Sequence, residues 1–113
     1  MTVGIIGYGE IGQALDKLYI QYEYIPLIKD LDRDDGLGGV DVLNIAIPWS
    51  HSFISDVQSY IAEIKPRLVI IHSTVPPGTT REVGKTFGNI VHSPVRGVHP
   101  NLFEGLQTFD KVI

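Results

Sequence analysis

Cysteine is missing from this sequence. That excludes disulfides, thiolate metal sites and covalent thiol chemistry on the chain. Long apolar runs are missing too. No stretch approaches the roughly 18 residues that a membrane-crossing helix needs. The first residues lack a basic region followed by a hydrophobic stretch, so no secretion signal is expected, and the cytoplasm is the expected location. Positive charge is in deficit. A net charge of −4 speaks against a nucleic-acid or anionic-membrane surface. The length of 113 residues predicts one domain, 1–113, with room for a real core. It is short for a dinucleotide-binding domain with two complete mononucleotide halves.

The chain opens on an apolar run, Thr2-Val3-Gly4-Ile5-Ile6, that leads into Gly7-Tyr8-Gly9-Glu10-Ile11-Gly12. This is the spacing of the dinucleotide-binding fingerprint at a first strand-to-helix junction. Each glycine has its own task there. Gly7 permits the tight turn, Gly9 lets a pyrophosphate approach the backbone, and Gly12 lets helix and strand pack closely. The first amides of the helix then face the anion. Asp30 ends the next apolar run, about 20 residues further on, where an acid accepts ribose hydroxyls and favours NAD over its 2′-phosphorylated relative. The alternative for the motif is a glycine turn that serves packing alone. Glu10 suits the positive end of the helix dipole but would repel a pyrophosphate, so it is expected to face solvent. Arg33 can meet a 2′-phosphate or be a solvated loop charge, and the second reading is preferred.

Residues 11–22 predict a helix, with Ile11, Ala14, Leu15, Leu18, Tyr19 and Tyr22 on one face. Tyr24 to Ile28 predicts a second strand. Residues 31–41 are polar and glycine-rich, and they predict a solvated loop crossing directly to the other side of the first strand, with no helix. Their acids lack the ligand spacing of a metal site. Val42 to Ile47 reads as a buried parallel strand that stops at Pro48-Trp49-Ser50. Ser50 or Ser52 is expected to cap a helix whose stripe is Phe53, Ile54, Val57, Tyr60, Ile61 and Ile64. Leu68 to Ile71 is another strand. Thr79 and Glu82 have capping-box spacing for a short helix. Asn89 to His92 is a fifth strand, and Asp110 to Ile113 the start of a sixth. The alternation predicts an α/β fold, a reduced Rossmann-type doubly wound parallel sheet of order 2-1-3-4-5 with a sixth strand at the edge. Ligands of such sheets sit at the carboxyl ends of the strands beside the first one. That rule gathers Gly7–Gly12, Asp30–Leu31, Pro48–Ser52 and Ser73–Thr79 into one expected site.

Ser73-Thr74-Val75-Pro76-Pro77-Gly78-Thr79-Thr80 resembles a segment of the UDP-glucose/GDP-mannose dehydrogenase family. The order of Gly7–Gly12, Asp30, Ile47-Pro48, Ser73–Thr80 and Ser93-Pro94 is similar to that of its N-terminal NAD-binding domain. The resemblance implies an NAD-dependent oxidation of a nucleotide sugar. By it, Gly7, Gly9, Gly12 and Asp30 hold the adenosine half of NAD, and Tyr8, Glu10 and Ile11 belong to the same cofactor-binding turn. Pro48 lies beside the cofactor, Ser73 and Thr74 approach the nicotinamide, and Glu104-Gly105 lies near the substrate. The sequence departs from the family in having Val95 where a glutamate is expected. It also lacks the family's cysteine, without which the thioester route of the second oxidation is closed.

Other candidates carry weaker signals. His72 and His92 lie at ends of neighbouring strands, where either is a candidate base or a hydrogen-bonded structural residue, and His92 is the favoured catalytic candidate with Glu104. His51 is expected in the first turn of a helix at the mouth of the cleft and His99 in a loop. A zinc site from His92 and His99 lacks a third ligand. Arg96 is open between binding a substrate phosphate and lying on the surface. Trp49 can stack on adenine or pack over a sheet end. Ser73 has no base at an evident spacing. Three functions therefore stand: the NAD-binding domain of a nucleotide-sugar dehydrogenase, a small NAD-dependent dehydrogenase of another kind, or a non-catalytic nucleotide sensor. A homo-oligomer or further domains are expected to cover the edge at the C-terminal strand.

Overall fold

The computed structural model describes residues 1–93. They form a six-stranded sheet flanked by helices on both faces. In chain order the elements are β1 (Val3–Ile6), α1 (Glu10–Gln21), β2 (Leu27–Asp30), β3 (Arg33–Asp34), β4 (Val42–Ile45), α2 (Phe53–Ile64), β5 (Leu68–Ile71), α3 (Thr79–Gly84) and β6 (Ile90–His92). The sheet order is β3-β2-β1-β4-β5-β6. All neighbours are parallel except β3, which pairs antiparallel with β2 through Asp30↔Arg33 and Lys29↔Asp34. The expected Rossmann-type order is thus present, with a two-residue hairpin strand added at the β2 edge. No helix among the described residues is long and apolar enough to cross a membrane.

The strands β1, β4 and β5 are buried along their whole length, which is why they read as continuous apolar runs rather than alternating ones. Side chains of one parity face α1. There Val3, Ile5, Ile28, Val42, Leu68 and Ile70 meet Leu15 and Tyr19. The other parity faces α2 and α3, where Leu43, Ile45, Val69 and Ile71 meet Phe53, Val57, Ile61 and Val83.

Several boundaries differ from the sequence expectation for local reasons. The second strand starts at Leu27, not Tyr24, because Tyr22 to Tyr24 close the end of α1. Their amides return to Tyr19 and Ile20 carbonyls, and Glu23 takes a left-handed φ of 70°. Ser52 stands at the start of α2, yet its hydroxyl donates to the Asp56 carboxylate at 2.9 Å and caps no amide. Thr79 and Glu82 form no capping box. Gly78, at φ 87°, closes the turn one residue earlier, and the Thr79 hydroxyl donates to the Pro76 carbonyl.

The loop between β3 and β4 is the largest departure. It is not a merely solvated crossing. Leu37 and Val40 are 3% and 2% exposed and belong to the core beside Ile6, Leu43 and Ile64. They cover a sheet face that a crossover helix would otherwise shield. Gly4 makes space for them, since a Cβ there would stand 2.8 Å from Leu37 Cδ2. Gly39 secures the loop by donating its amide to the Ile64 carbonyl at the end of α2.

Because this loop fills core volume, Leu37→Ala is expected to destabilise the fold by about 3 kcal/mol in a urea titration, as a core leucine does. A change within about 0.5 kcal/mol, the usual value for a surface loop, would show that Leu37 is not part of the packing.

Candidate functional site

The carboxyl ends of the parallel strands converge on one rim, and the loops leaving them shape it. The first is the glycine turn. Gly7 has φ 97°, and a Cβ on it would stand 2.8 Å from the carbonyl of Ala46. Only glycine suits such a turn. Gly12 is buried where α1 crosses the turn, and a Cβ there would collide with the Gly7 carbonyl. Gly9 is different. A Cβ on it would meet nothing within 4 Å, so this residue is not needed as glycine by any neighbour inside the protein.

Gly9 starts α1 with no side-chain cap. The first intrahelical bond runs from the Gln13 amide to the Gly9 carbonyl. The amides ahead of it have no partner within the helix. They open toward the rim, at the positive end of the α1 dipole.

Two cavities adjoin along Ile47 and Pro48, which line both. One, of about 360 Å³, lies between the β2 and β4 ends and is lined by Gly7, Asp30, Leu31, Ser50, Asp56 and Tyr60 among others. The second, of about 410 Å³, is lined by Gly9, Glu10, Ile11, Trp49, Ser73 and Thr74. The expected site residues therefore come together around a cleft in two compartments, with the glycine turn contributing to both. Tyr8 stands beside it, its hydroxyl donating to Asp16 at 2.6 Å. The remainder of the fourth loop, Val75 to Arg81, lines a separate cavity of about 440 Å³ with His92.

The polar groups of the rim differ in their freedom. Asp30 is exposed, and among the described residues nothing engages its carboxylate. Arg33 is no idle loop charge. Its guanidinium binds Asp35 at 2.8 Å, lies 5.6 Å from the centre of the Tyr8 ring, and holds the Asp35 carboxyl below the ordinary range. Ser73 is buried and its hydroxyl donates to the Ile47 carbonyl, tying the loop after β5 to the loop after β4. Glu10 is exposed as expected, yet it does line the second cavity. Trp49 packs against Phe53 with ring centres 5.3 Å apart and faces the second cavity, away from Asp30.

The histidines separate sharply. His92 is exposed and its Nε2 lies 3.0 Å from the Ser73 carbonyl, on the far side of that loop from the cleft. His51 is exposed in the turn ahead of α2. Arg96, His99, Glu104 and the expected strand at Asp110 to Ile113 lie outside the described residues. His72 does not face the cleft at all. It is fully buried beneath the sheet end, with Nε2 2.7 Å from Asn44 Oδ1. Asn44 is itself oriented, because its amide nitrogen donates to the Gly4 carbonyl and to the Tyr19 hydroxyl. Its oxygen must therefore accept from His72, which places the ring proton on Nε2. Nδ1 is left bare, and among the described residues it has no partner. Burial, and secondarily the charge of His92, push the ring down to about 4. Nothing in the sequence distinguished this structural histidine from the exposed one at the end of the neighbouring strand.

His72 makes stability depend on pH in a defined window. The unfolded ring takes up a proton near pH 6.5 and the folded ring only at about 4. Between these values the unfolded state binds more protons, so stability is full above pH 6.5 and falls as pH drops toward 4. The loss from this group is expected to reach about 3 kcal/mol. In urea titrations between pH 7 and 4, His72→Gln should flatten the slope; an unchanged slope would show that the ring is accessible to protons in the fold.

Comparison with known proteins bears on fold and family. No family model matches the sequence, and no curated protein matches it. Among solved structures, the TrkA-N domain of the inner membrane protein YbaL from Escherichia coli superposes with a TM-score of 0.60 at 12% identity, over 99% of this chain and 96% of that one. Membership of the UDP-glucose/GDP-mannose dehydrogenase family, expected from Ser73–Thr80, is thereby overturned. That stretch is a proline-glycine connector running into α3, in which Thr79 returns both amide and hydroxyl to the Pro76 carbonyl. What the chain shares with the YbaL domain is a mixed α/β, Rossmann-like fold.

Proposed function

We propose that this chain is a nucleotide-binding sensor domain that takes an adenine dinucleotide, NAD, and carries out no chemistry on it. The observation behind this reading is the pair of cavities flanking a glycine turn that leads into the first amides of α1, which have no partner among the described residues. A dinucleotide has that outline: two nucleoside ends joined by a diphosphate. The adenosine goes to the cavity of Asp30 and Leu31, with the ribose hydroxyls on the Asp30 carboxylate. The diphosphate rests on the Gly7 to Gly12 turn, against the amides of Glu10, Ile11 and Gly12. Pro48 separates the two halves. Ser73 and Thr74 border the second one, where NAD supplies its nicotinamide.

Gly9 supports the diphosphate assignment from a different direction. No internal contact calls for a glycine there, whereas an anion approaching the backbone does. Charge supports NAD over its phosphorylated relative. Asp30 would repel a 2′-phosphate, and Arg33 is already committed to Asp35. The sensor reading is preferred to a dehydrogenase on the histidines. His72 is buried away from the cleft and His92 lines another cavity, so neither stands beside the second compartment as a base.

Thermal melting with NAD, NADP and ADP-ribose tests the reading. A ligand at 100 times its dissociation constant adds about 2.7 kcal/mol of stability. NAD should raise the melting temperature more than NADP, and Asp30→Ala should narrow the difference. Gly9→Ala should melt within about 1 kcal/mol of the parent without ligand and lose the NAD-induced rise. Gly12→Ala should fail to fold stably with or without NAD. No rise with any adenine dinucleotide would overturn the proposal, and so would steady reduction of NAD by an alcohol.

A further inference from the structure

We propose that Asp56 selects the base, accepting a hydrogen bond from the 6-amino group of adenine and so rejecting hypoxanthine and guanine. This rests on the dinucleotide reading above and adds a residue to which no sequence motif points.

Asp56 lies in the first turn of α2 and lines the same cavity as Asp30. The cavity thus carries carboxylates from two different elements, β2 and α2, with the apolar surfaces of Ile6, Ile47, Pro48 and Tyr60 as further lining. Ionised carboxylates only accept hydrogen bonds. A planar ligand held between these groups must therefore present donors to both. Adenosine does so, with its ribose hydroxyls at one end and its amino group at the other. Hypoxanthine carries an oxygen in place of that amino group and its N1–H one ring position away, so in the same pose it would set the oxygen's lone pairs against the carboxylate.

Guanine also offers donors, N1–H and the 2-amino group, but as a fork that takes both oxygens of one carboxylate. Asp56 does not have both oxygens clear. Ser52 donates to its Oδ2 at 2.9 Å, and the Ser52 hydroxyl lies 3.1 Å from that of Ser50. This chain orients the carboxylate, so a guanine fork would have to share Oδ2 with the Ser52 hydroxyl, whereas a single amine hydrogen needs Oδ1 alone. Lys29, the cation on the cavity wall, is not placed to rescue a base oxygen. Its ammonium is paired with Asp34 at 3.3 Å and lies 5.9 Å from the centre of the Tyr60 ring.

Titration calorimetry with NAD and with nicotinamide hypoxanthine dinucleotide reads this selection. The two probes differ in the base alone: adenine has a 6-amino group and a bare N1, hypoxanthine a 6-oxygen and an N1–H. The parent chain should bind NAD about tenfold more tightly or better, the usual consequence of leaving a polar group unpaired. Asp56→Asn should bring the two affinities within about threefold, because an amide can donate to the hypoxanthine oxygen as well as accept from the adenine amine. Its melting temperature without ligand checks that the fold is kept. Equal affinities in the parent, or an unchanged ratio in Asp56→Asn, would overturn the base-selecting role while leaving the dinucleotide site standing. No heat with either probe would overturn the site itself, and this role with it.

Discussion

Everything near the rim depends on how closely α1 approaches the end of β1. Gly12 lies directly over the Gly7 carbonyl, with no room between them for a methyl group. Gly7 in turn has its φ at 97° against the Ala46 carbonyl. These two contacts set the direction in which α1 leaves the sheet. They therefore set where its open amides point and where the two cavities meet. A side chain at either position would move the helix, not merely crowd it, because the opposing atoms are backbone and cannot rotate away. Gly9, between them, has no such constraint from its neighbours.

The fold around this junction is economical. A loop of mostly polar residues replaces a crossover helix by placing just two apolar side chains, Leu37 and Val40, over the sheet. The arrangement works because Gly4 lowers the surface beneath them and Gly39 ties the loop to the end of α2. It also brings β4 beside β1 without an intervening unit, so the loops after β1, β2, β4 and β5 are all near one another.

On the opposite face, a polar trio interrupts the apolar layer. Tyr19, Asn44 and His72 hydrogen-bond among themselves under the rim. Burial holds the Tyr19 hydroxyl well above its ordinary range and the His72 ring well below. Both are therefore neutral at pH 7. The trio ties α1 to β4 and β5 by directional bonds where apolar contacts alone would allow sliding.

The sequence by itself determined the alternation of strands and helices, the strand order, the glycine turn and the acid at the end of β2. These are legible because they rest on local rules: unbroken apolar runs for strands buried on both sides, a repeating stripe for α2, and glycines in the first turn where φ is positive or a backbone comes close. Only the tertiary structure decided which of two strand-end histidines is buried, that Leu37 and Val40 belong to the core, that Arg33 is held by Asp35 and Tyr8, and that Asp56 joins Asp30 at one cavity. It also showed Ser73–Thr80 to be a connector between β5 and α3, tied to Ile47 through Ser73. For the histidines, Leu37 and Val40, and Asp56 the reason is the same. Burial depth and hydrogen-bond partners are set by residues far apart in the chain, as with Asn44 and His72 or Asp30 and Asp56, and no spacing rule along one segment contains them.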